Sequence, residues 1–312
     1  MASLKEVGER TLVDNIRKIL RPAKGIGPRD DAAVVPSEGD VVVSTDTVSF
    51  KRHKPEGMTY EQFGWMAAAV NLSDIASMGA RPIGILAAMG MPEDLDEDIL
   101  YDIVSGFDQC AEFCNTFVVG GDTKVGDGYV SGTALGNLEG RKPLTRSGAV
   151  PGDIIAVTGN LGSAAAGYYA LKNGIEADES IFALCIPVPR VEEGLKLSMS
   201  GAVTSCMDLS DGLAETARAI CSESHVGMDI QMEFLPVTPE VDDIASRLNM
   251  DRRELILYWG GEYELLFTFS KEKIAELYKA GLAFSIIGMV TNDRDPYILE
   301  EGAREVMRHG SY

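Results

Sequence analysis

The amino-acid sequence predicts an α/β protein made of two α+β halves. Short β-like runs alternate with helical stretches, a pattern typical of sheets covered by helices. A length of 312 residues corresponds to about two domains of ordinary size. The turn-rich segment SGAVPGD, residues 147–153, lies near the middle. We therefore divide the chain into residues 1–148 and residues 149–312.

Strands and helices are predicted from the spacing of apolar residues. Runs rich in β-branched and aromatic residues predict strands over residues 41–45, 117–121, 129–138, 153–159, 229–235, 264–270 and 284–290. Apolar residues at helical spacing predict helices over residues 61–78, 97–113, 162–173, 210–223 and 271–280. Gly79, followed by Pro82, predicts the end of the first of these helices.

An amphipathic helix is also predicted within residues 4–20. This segment lacks the apolar core of a signal peptide. No apolar run in the sequence approaches the roughly 18 residues that a membrane-spanning helix needs. We therefore expect no membrane partner.

Composition and charge exclude several classes of protein. Apolar residues make up 45% of the chain and charged residues 24%, as in an ordinary folded protein. This excludes a disordered chain, a collagen-like chain and a disulfide scaffold. The net charge of −20 argues against nucleic acid or an anionic membrane as a partner, since both require a basic face. A phosphate substrate would need a counter-cation, and a divalent metal is the obvious candidate.

The five cysteines form no C-x-x-C pair. Cys110 and Cys114 share one face of a predicted helix, which favours a buried helical face. None of the three histidines pairs with another at ligand spacing, and this argues against zinc. The cysteine pattern is typical of a reducing cytoplasm.

Several nucleotide and hydrolase motifs are absent from the sequence. There is no G-x-x-x-x-G-K-[ST], no G-x-G-x-x-G, no H-R-D, no D-F-G and no G-x-S-x-G. A P-loop, a dinucleotide-binding fingerprint, a protein kinase and an α/β-hydrolase are therefore not supported. Any nucleotide site must be of another design.

Aspartates recur at the ends of apolar runs, and these aspartates are the main candidates for a functional site. The residues concerned are Asp30, Asp31, Asp46, Asp74, Asp122, Asp208 and Asp211. A turn or helix-cap role stays open for each, and Ser210 or Asp211 could cap its helix. Asp74 is harder to explain in that way. It shares a face of an apolar helix with Asn71, where a carboxylate is costly to bury unless paired or bound to a cation.

Together these residues predict a carboxylate cluster. Mg²⁺ takes oxygen ligands and keeps waters or substrate phosphates in its shell. Several aspartates from separate elements, without a His/Cys set, fit Mg²⁺ better than Zn²⁺.

Glycines and scarce basic residues add weaker signals. Gly120 and Gly121 would let the backbone approach a phosphate beside Asp122. The glycines of TGNLG, residues 158–162, fit either a phosphate cradle or a plain tight turn. Arg146 could clamp a phosphate. Glu262 is either a strand-start carboxylate or a polar handle for a cationic or hydroxylated substrate.

At this point an ordered series of motifs resembles the thiamine-monophosphate kinases. The series runs GIGPRDDAAV, VVVSTDT, NLSDIASMGARP, VVGGDT, LTRSGAVPGD, TGNLGSAAAG, DLSDGL and GGEYELLFT, within residues 5–290. These motifs are similar to those of an ATP-dependent superfamily that includes aminoimidazole ribonucleotide synthetase, selenophosphate synthetase and the hydrogenase maturation dehydratase. Asp46 with His53, together with NLSD and LTRSG, favours the thiamine-phosphate branch.

The resemblance implies a two-domain aminoimidazole ribonucleotide synthetase-like fold. In that fold the strands of an N-terminal ATP- and Mg²⁺-binding domain pair across a homodimer into an intersubunit β-barrel, and an α+β domain follows. The implied reaction is direct, in-line transfer of the γ-phosphoryl group of ATP to thiamine monophosphate. The products, thiamine diphosphate and ADP, make this the last step of thiamine diphosphate biosynthesis in the cytoplasm.

The resemblance also implies residue roles. Metal positions are matched by Asp31, Ser44, Thr45, Asp46, Asp74, Asp122, Asp208 and Asp211. ATP contacts are matched by Gly121, Asp122, Arg146 and Ser210. Substrate contacts are matched by His53, Glu262 and Tyr312. No catalytic base or nucleophile is implied. Many relatives have GGEDYEL where this chain has GGEYEL, so Glu262 is the equivalent carboxylate.

Two other functions stay open at the level of sequence. One is another ATP-dependent enzyme of the same superfamily, which would phosphorylate an amide or carbonyl oxygen. The other is a non-catalytic nucleotide-binding protein. The full set of aspartates argues against the second, because a degenerate site should have lost some of them.

Overall fold

The protein is described by a computed structural model that covers residues 15, 16, 18–20, 37 and 39–310. These residues form two α/β units. The first takes in the described residues up to Ile75 together with Arg81–Gly140. The second takes in Ala76–Ala80 and the described residues from Arg141 onward. The boundary at residue 148 stays a prediction.

The first unit is built on a sheet with the strand order β1-β4-β2-β3. Strands β2 and β3 are parallel, and the other neighbours are antiparallel. In chain order the elements from β1 to β4 are β1 Val41–Ser49, α1 Phe50–His53, α2 Tyr60–Ser77, β2 Arg81–Met91, α3 Glu97–Phe113, β3 Val118–Val125 and β4 Tyr129–Asn137.

Two glycines allow helices α2 and α3 to pack at very short range. A Cβ atom at Gly64 would lie 2.0 Å from the carbonyl oxygen of Ile103. A Cβ atom at Gly106 would lie 1.8 Å from the carbonyl oxygen of Glu61. Only a residue without a side chain permits this approach, so these glycines fix where α2 lies.

The second unit is built on a sheet with the strand order β11-β10-β7-β9-β5-β8-β6, in which only the β7–β10 pair is parallel. Its elements are β5 Ile154–Val157, α4 Ser163–Asn173, α5 Asp178–Cys185, α6 Val191–Ser200, β6 Val203–Asp208, α7 Leu213–Ser224, β7 Gly227–Gln231, α8 Pro239–Arg247, α9 Arg252–Leu257, β8 Leu265–Phe269, α10 Ile274–Lys279, β9 Ser285–Thr291, β10 Pro296–Glu300 and β11 Ala303–Val306.

Strand β8 contributes side chains to both apolar clusters of this unit. All of its residues are buried, which agrees with its nearly continuous apolar sequence LLFTF. The one polar side chain, Thr268, contacts the hydroxyls of Thr204 at 2.6 Å and Ser205 at 2.7 Å. Buried polar groups need such partners, so β6 and β8 are held in register by a ladder of hydroxyls.

Several strands and helices of the structure were not predicted from the sequence. Strand β2 was not predicted, because Gly79 and Pro82 indicated a helix end and the strand has few β-branched residues. Strands β6, β10 and β11 and helices α1, α5, α6, α8 and α9 were not predicted either. Most of the helix predicted within residues 4–20 lies outside the described residues, although Asn15, Ile16, Lys18 and Ile19 are helical.

All five cysteine thiols are free and buried. The buried helical face predicted for Cys110 and Cys114 is confirmed, since both lie buried on or at the end of α3. Among the helices of the described residues, none has both the length and the apolar character needed to cross a bilayer.

Candidate active site

Helix α2 is hydrogen-bonded to the middle of β1, at Ser44 and Asp46. The hydroxyl of Ser44 donates a hydrogen bond to Oδ2 of Asp74. The backbone N–H of Asp46 donates to Oδ1 of Asn71 at 2.8 Å. Asp74 is half-buried and Asp46 is exposed. The structure therefore brings Ser44, Asp46 and Asp74 to one place, with the carboxylate of Asp46 directed by a strand whose backbone is fixed.

The side chain of Asn71 is the bridge in this arrangement. It is fully buried, and its Nδ2 atom donates to the carbonyl oxygen of Ala67 at 2.9 Å. A Cβ atom at Gly132 of β4 would lie 2.1 Å from that Nδ2 atom, so only glycine leaves room for it. The hydroxyl of Thr45 donates to the carbonyl oxygen of Gly132 at 2.7 Å. Asn71 thus joins α2 to β1 by a hydrogen bond and packs against β4, a role that sequence analysis did not assign to it.

Gly121 and Asp122 lie on β3. A Cβ atom at Gly121 would lie 2.1 Å from the carbonyl oxygen of Ala87 on β2, so glycine is required for these strands to pair. The Asp122 side chain is exposed and lies 3.4 Å from the Nζ atom of Lys124. The structure gives Gly121 a packing role, and the ATP contacts of both residues stay predictions.

His53 ends the short helix α1 that follows β1. Its Nδ1 atom accepts a hydrogen bond from the backbone N–H of Ser49 at 3.0 Å. Burial, and to a smaller degree the charge of Arg52, lower the pKa of His53. An imidazole whose Nδ1 accepts a hydrogen bond is neutral and carries its proton on Nε2. His53 can therefore donate one hydrogen bond to a ligand at neutral pH.

In the second unit, the loop after β6 is paired with the loop before β8. The backbone N–H of Gly261 donates to the carbonyl of Ser210 at 2.9 Å, and that of Tyr263 donates to the carbonyl of Leu209 at 3.3 Å. Asp208 is 2% exposed at the end of β6, whereas Asp211 is exposed.

The N-terminus of α7 shows whether Ser210 or Asp211 caps that helix. The N-cap position is Gly212, with φ of +89° and no side-chain cap. Neither Ser210 nor Asp211 therefore occupies the N-cap position that the cap interpretation requires.

Glu262 lies at the N-terminus of α4. Its Oε1 atom accepts a hydrogen bond from the backbone N–H of Ala164 at 3.2 Å. Burial, and to a smaller degree nearby Glu264, raise the pKa of Glu262 to about 8, although the backbone N–H groups of Ala164 and Gly162 act in the opposite direction. Because a carboxyl of the chain itself already occupies these N–H groups, the structure favours a tight turn over a phosphate cradle at TGNLG.

An ion pair beside this loop was missed by sequence analysis. The Nε atom of Arg190 donates to Glu264 Oε2 at 2.7 Å, and a second guanidinium nitrogen donates to Oε1. The hydroxyl of Thr158 also donates to Oε2 at 2.6 Å. A Cβ atom at Gly159 would lie 1.9 Å from Oε1. The buried Glu264 therefore fixes the chain two residues after Glu262, and no spacing rule in the sequence links these residues.

Arg146 lies on a segment that runs along β6. The backbone N–H of Cys206 donates to the carbonyl of Thr145 at 2.8 Å, and the hydroxyl of Ser224 donates to the carbonyl of Arg146 at 3.0 Å. A Cβ atom at Gly148, where φ is +118°, would lie 2.4 Å from the carbonyl oxygen of Thr204. The backbone is thus fixed while the guanidinium of Arg146 is exposed, and its contact with ATP stays a prediction.

The predicted metal ligands are only partly gathered. Asp31, a predicted metal ligand, lies outside the described residues, as does Tyr312, a predicted substrate contact. Within residues 39–310 and the few described before them, no three His, Cys, Asp or Glu side chains form a group that could hold a metal ion. The donors at β1 and α2 are a hydroxyl and carboxylates, which fit Mg²⁺ because that ion takes oxygen ligands and completes its shell with water and phosphate. The metal roles stay predictions.

Comparison with known proteins identifies the family. Residues 29–138 match the model of the AIR synthase related protein N-terminal domain, and residues 150–299 match that of the C-terminal domain. A thiamine-monophosphate kinase of Methanospirillum hungatei is 39% identical over 267 residues, which cover 84% of this chain and 87% of that protein. One from Pyrococcus abyssi is 35% identical, with 86% and 84% covered. The chain belongs to the thiamine-monophosphate kinase family.

Solved structures agree with this family membership. Thiamine-monophosphate kinase from Stenotrophomonas maltophilia is 30% identical, with a TM-score of 0.81 and 94% and 96% of the two chains covered. AaThiL, complexed with AMPPCP and TMP, is 29% identical, with a TM-score of 0.79 and 99% and 98% covered. The hydrogenase maturation protein HypE is 22% identical at a TM-score of 0.81, which shows a shared fold alone. The resemblance to this kinase family and the two-domain α/β fold are confirmed.

Changing Glu262 to Gln should alter how stability depends on pH. The folded-state pKa of about 8 lies above the ordinary value of 4.5, so between these values the folded protein holds a proton that the unfolded chain has released. Glu262 therefore lowers the free energy of unfolding progressively as pH rises from 4.5 to 8, and no further above 8. Glu262→Gln removes this contribution, so the variant should gain stability relative to the parent across that window.

Urea denaturation of the two proteins from pH 4.5 to 8.5 measures this difference. Glu176→Gln, which changes an exposed carboxylate between α4 and α5, is the control and should run parallel to the parent. Parallel curves for Glu262→Gln as well would contradict the raised pKa.

Changing Arg190 to Met should destabilise the second unit strongly. It leaves the Glu264 side chain, which is 7% exposed, without its guanidinium partner. Breaking a buried pair from one side costs about 3–5 kcal/mol. Arg247→Met is the matched control, because Arg247 pairs with Asp243 on the surface and such pairs contribute about 0–1 kcal/mol. Chemical denaturation gives both values, and equal losses would show that Glu264 does not depend on Arg190.

Proposed function

We propose that the protein transfers the γ-phosphoryl group of ATP to thiamine monophosphate, giving thiamine diphosphate and ADP. The observation that carries this proposal is the similarity, over 99% of the chain, to AaThiL complexed with AMPPCP, an ATP analogue, and TMP, thiamine monophosphate. Relatives 32–39% identical over most of the chain carry the same kinase name. The reaction is the last step of thiamine diphosphate biosynthesis.

The chemistry of this reaction suits the side chains at the site. The acceptor is a phosphate oxygen that is already nucleophilic at neutral pH, so the enzyme needs no strong general base. The difficulty is to bring two anions together in line. Positioning and neutralisation of charge therefore supply most of the catalysis. A site of aspartates and hydroxyls without a nucleophile–base pair is what this reaction requires.

Mg²⁺ would be held by the aspartates and hydroxyls predicted from the resemblance, namely Asp31, Ser44, Thr45, Asp46, Asp74, Asp122, Asp208 and Asp211. When bound, magnesium would neutralise charge on the phosphates, beside a chain in which carboxylates outnumber basic side chains. The protein contributes the fixed backbone of β1. Asn71 accepts from the N–H of Asp46 and Ser44 donates to Asp74, so both aspartates are oriented before substrate arrives.

The remaining assigned residues would bind the two substrates. Gly121, Asp122, Arg146 and Ser210 would contact ATP, with the exposed guanidinium of Arg146 available to a phosphate. Neutral His53 would donate a hydrogen bond to thiamine monophosphate through Nε2. Glu262 and Tyr312 would complete that contact.

Replacing single aspartates tests the proposed reaction. Asp46→Asn and Asp208→Asn should each lower kcat by about 100-fold or more, the usual cost of losing one preorganised electrostatic contact. Their melting temperatures should stay near that of the parent. The measurement is thiamine diphosphate and ADP formed from ATP, Mg²⁺ and thiamine monophosphate, separated by chromatography.

Asp178→Asn, on an exposed turn at the start of α5, is the control and should keep full activity. Folded aspartate variants with full activity would refute the metal positions. ADP formed without thiamine diphosphate by the parent protein, or no turnover at all, would refute the kinase itself.

We also propose a homodimer whose first sheets pair into an intersubunit β-barrel. The support is the exposed apolar side chains of β1, which is an edge strand among the described residues: Val41 is 45% and Val43 is 60% exposed. Exposed apolar side chains grouped in this way are typical of protein–protein contacts. Free thiols at all five cysteines support a cytoplasmic location.

A charge placed on this surface should dissociate the dimer. Val43→Asp should change the sedimentation coefficient from that of a dimer to that of a monomer, because a desolvated carboxylate is costly in an interface. Val306→Asp, at a site 52% exposed on β11 in the other sheet, should leave the dimer intact. A parent protein that sediments as a monomer, or a Val43→Asp protein that stays dimeric, would count against the barrel.

A further inference from the structure

The second unit contains a cavity of about 530 Å³ beside the end of α6. It is lined by residues 141–144, which follow β4, together with residues 197–199, 201 and 203. Small-molecule sites in proteins typically enclose about 300–1,000 Å³, so this cavity has the size of a ligand site. None of the residues assigned to ATP, to thiamine monophosphate or to a metal is among those that line it.

The charge of this lining is opposite in sign to that of the whole chain. Arg141 and Lys142 are its charged side chains, and no Asp or Glu is among the lining residues. The chain has 48 acidic residues against 28 basic ones, so a lining that is only basic differs from the average of the molecule. Lys142 is exposed, and no carboxylate of the described residues forms an ion pair with it. Its ammonium group is therefore available to an anion.

Carboxylates on the flanking segments are paired with other cations. Glu139 accepts from Arg81 Nε at 2.7 Å, and Glu192 of α6 lies 2.7 Å from the Nζ atom of Lys196. Neither carboxylate lines the cavity. The charge of Lys142 is therefore not cancelled by these acidic neighbours.

The rest of the lining suits an apolar body. Leu144 and Leu197 are buried, whereas Met199 is exposed, so apolar surface extends from the interior to the solvent. Ser198 also lines the cavity, and its hydroxyl is buried without a hydrogen-bond partner among the described residues. Buried polar atoms are normally hydrogen-bonded, and a ligand oxygen placed beside Ser198 would supply the partner.

The wall formed by residues 141–144 is fixed by the end of α2. The Nη2 atom of Arg141 donates to the carbonyl of Gly79 at 3.4 Å, and the backbone N–H of Leu144 donates to the carbonyl of Met78 at 3.1 Å. A wall that is held in place before binding costs little ordering entropy when a ligand arrives.

We propose that this cavity is a binding site for an amphipathic organic anion, with a carboxylate or phosphate head at Arg141 and Lys142 and an apolar body against Leu144, Leu197 and Met199. The two cations supply charge-assisted hydrogen bonds to the head, which are stronger than bonds between neutral groups. The site is additional to the proposed kinase site and does not depend on it, so a protein without kinase activity would still bind the anion.

Two dyes with the same aromatic body test the need for a charge. Anilinonaphthalene sulfonate is an anion whose emission increases in an apolar site, and it should bind the whole protein saturably. Phenylnaphthylamine lacks the sulfonate and should bind about tenfold more weakly or worse, because it loses the charge-assisted contact. Saturating ATP and Mg²⁺ should not displace the sulfonate dye.

Exchange of one exposed lysine tests the place of binding. Lys142→Glu should weaken binding of the sulfonate dye by about tenfold or more, since it removes a cation and adds a repelling charge. Lys172→Glu makes the same change at an exposed lysine on α4 that does not line the cavity, and it should leave the affinity within about twofold.

Displacement of the dye identifies the head and the body of the ligand. Hexanoate and hexyl phosphate should both compete, and the one that competes at lower concentration identifies the preferred head. From butanoate to hexanoate, competition should improve by about fourfold for each added methylene, the value for burying that group. Hexylammonium, with the same body and the opposite charge, should not compete.

Several results would overturn the site. These are displacement of the dye by ATP, equal affinity of the parent and Lys142→Glu for the sulfonate dye, equal affinity of the parent for the two dyes, and competition by hexylammonium. Should Lys142→Glu fail to fold, the comparison of the two dyes and of hexanoate with hexylammonium on the parent protein still decides the question.

Discussion

The arrangement of the first unit depends on one buried amide. Asn71 lies on a helix that is apolar nearly all round, and a buried side-chain amide is costly unless its donors and acceptor are satisfied. It is satisfied by the carbonyl of Ala67 and by the N–H of Asp46, so this buried amide fixes the position of β1 although most of that strand is exposed or half-buried. The glycine at 132 and the short-range contact of α2 with α3 at Gly64 both serve to bring that amide to the strand. Asp46 and Asp74 gain their fixed positions from this packing of α2 against β1.

In the second unit, a buried ion pair rather than a buried amide fixes the position of a site loop. Glu264 is as buried as a core residue, and its two oxygens are satisfied by Arg190 and Thr158. Because the strand β8 begins there, the loop bearing Glu262 is fixed at one end by this pair and at the other by its backbone contacts with the Asp208–Asp211 loop. Rigid support of this kind is what lets a site act by positioning, since misplacement by 1 Å is costly for such catalysis.

Sequence analysis predicted the helices and strands whose apolar residues follow a clear local pattern. Helix α3 was predicted with its observed bounds, and the strands β1, β3, β4 and β8 were predicted at their observed places, because their apolar periodicity is strong. Strand β2 was missed since its small residues, Gly84, Ala87 and Ala88, fit a strand only when paired on both sides by β4 and β3. Asn71 and Arg190 were missed for a related reason. Each acts through a partner distant in the chain, and single-residue chemistry does not reveal such partners.

The charge balance of the molecule gives the site its character. Several of the described arginines are paired with carboxylates, as Arg253 is with Glu300 and Glu305 and as Arg304 is with Asp229 and Asp293. With a net charge of −20, the chain binds two anionic substrates more favourably when positive charge arrives with them. In the proposed reaction it arrives twice, as a divalent metal held by aspartates and as the thiazolium of the acceptor.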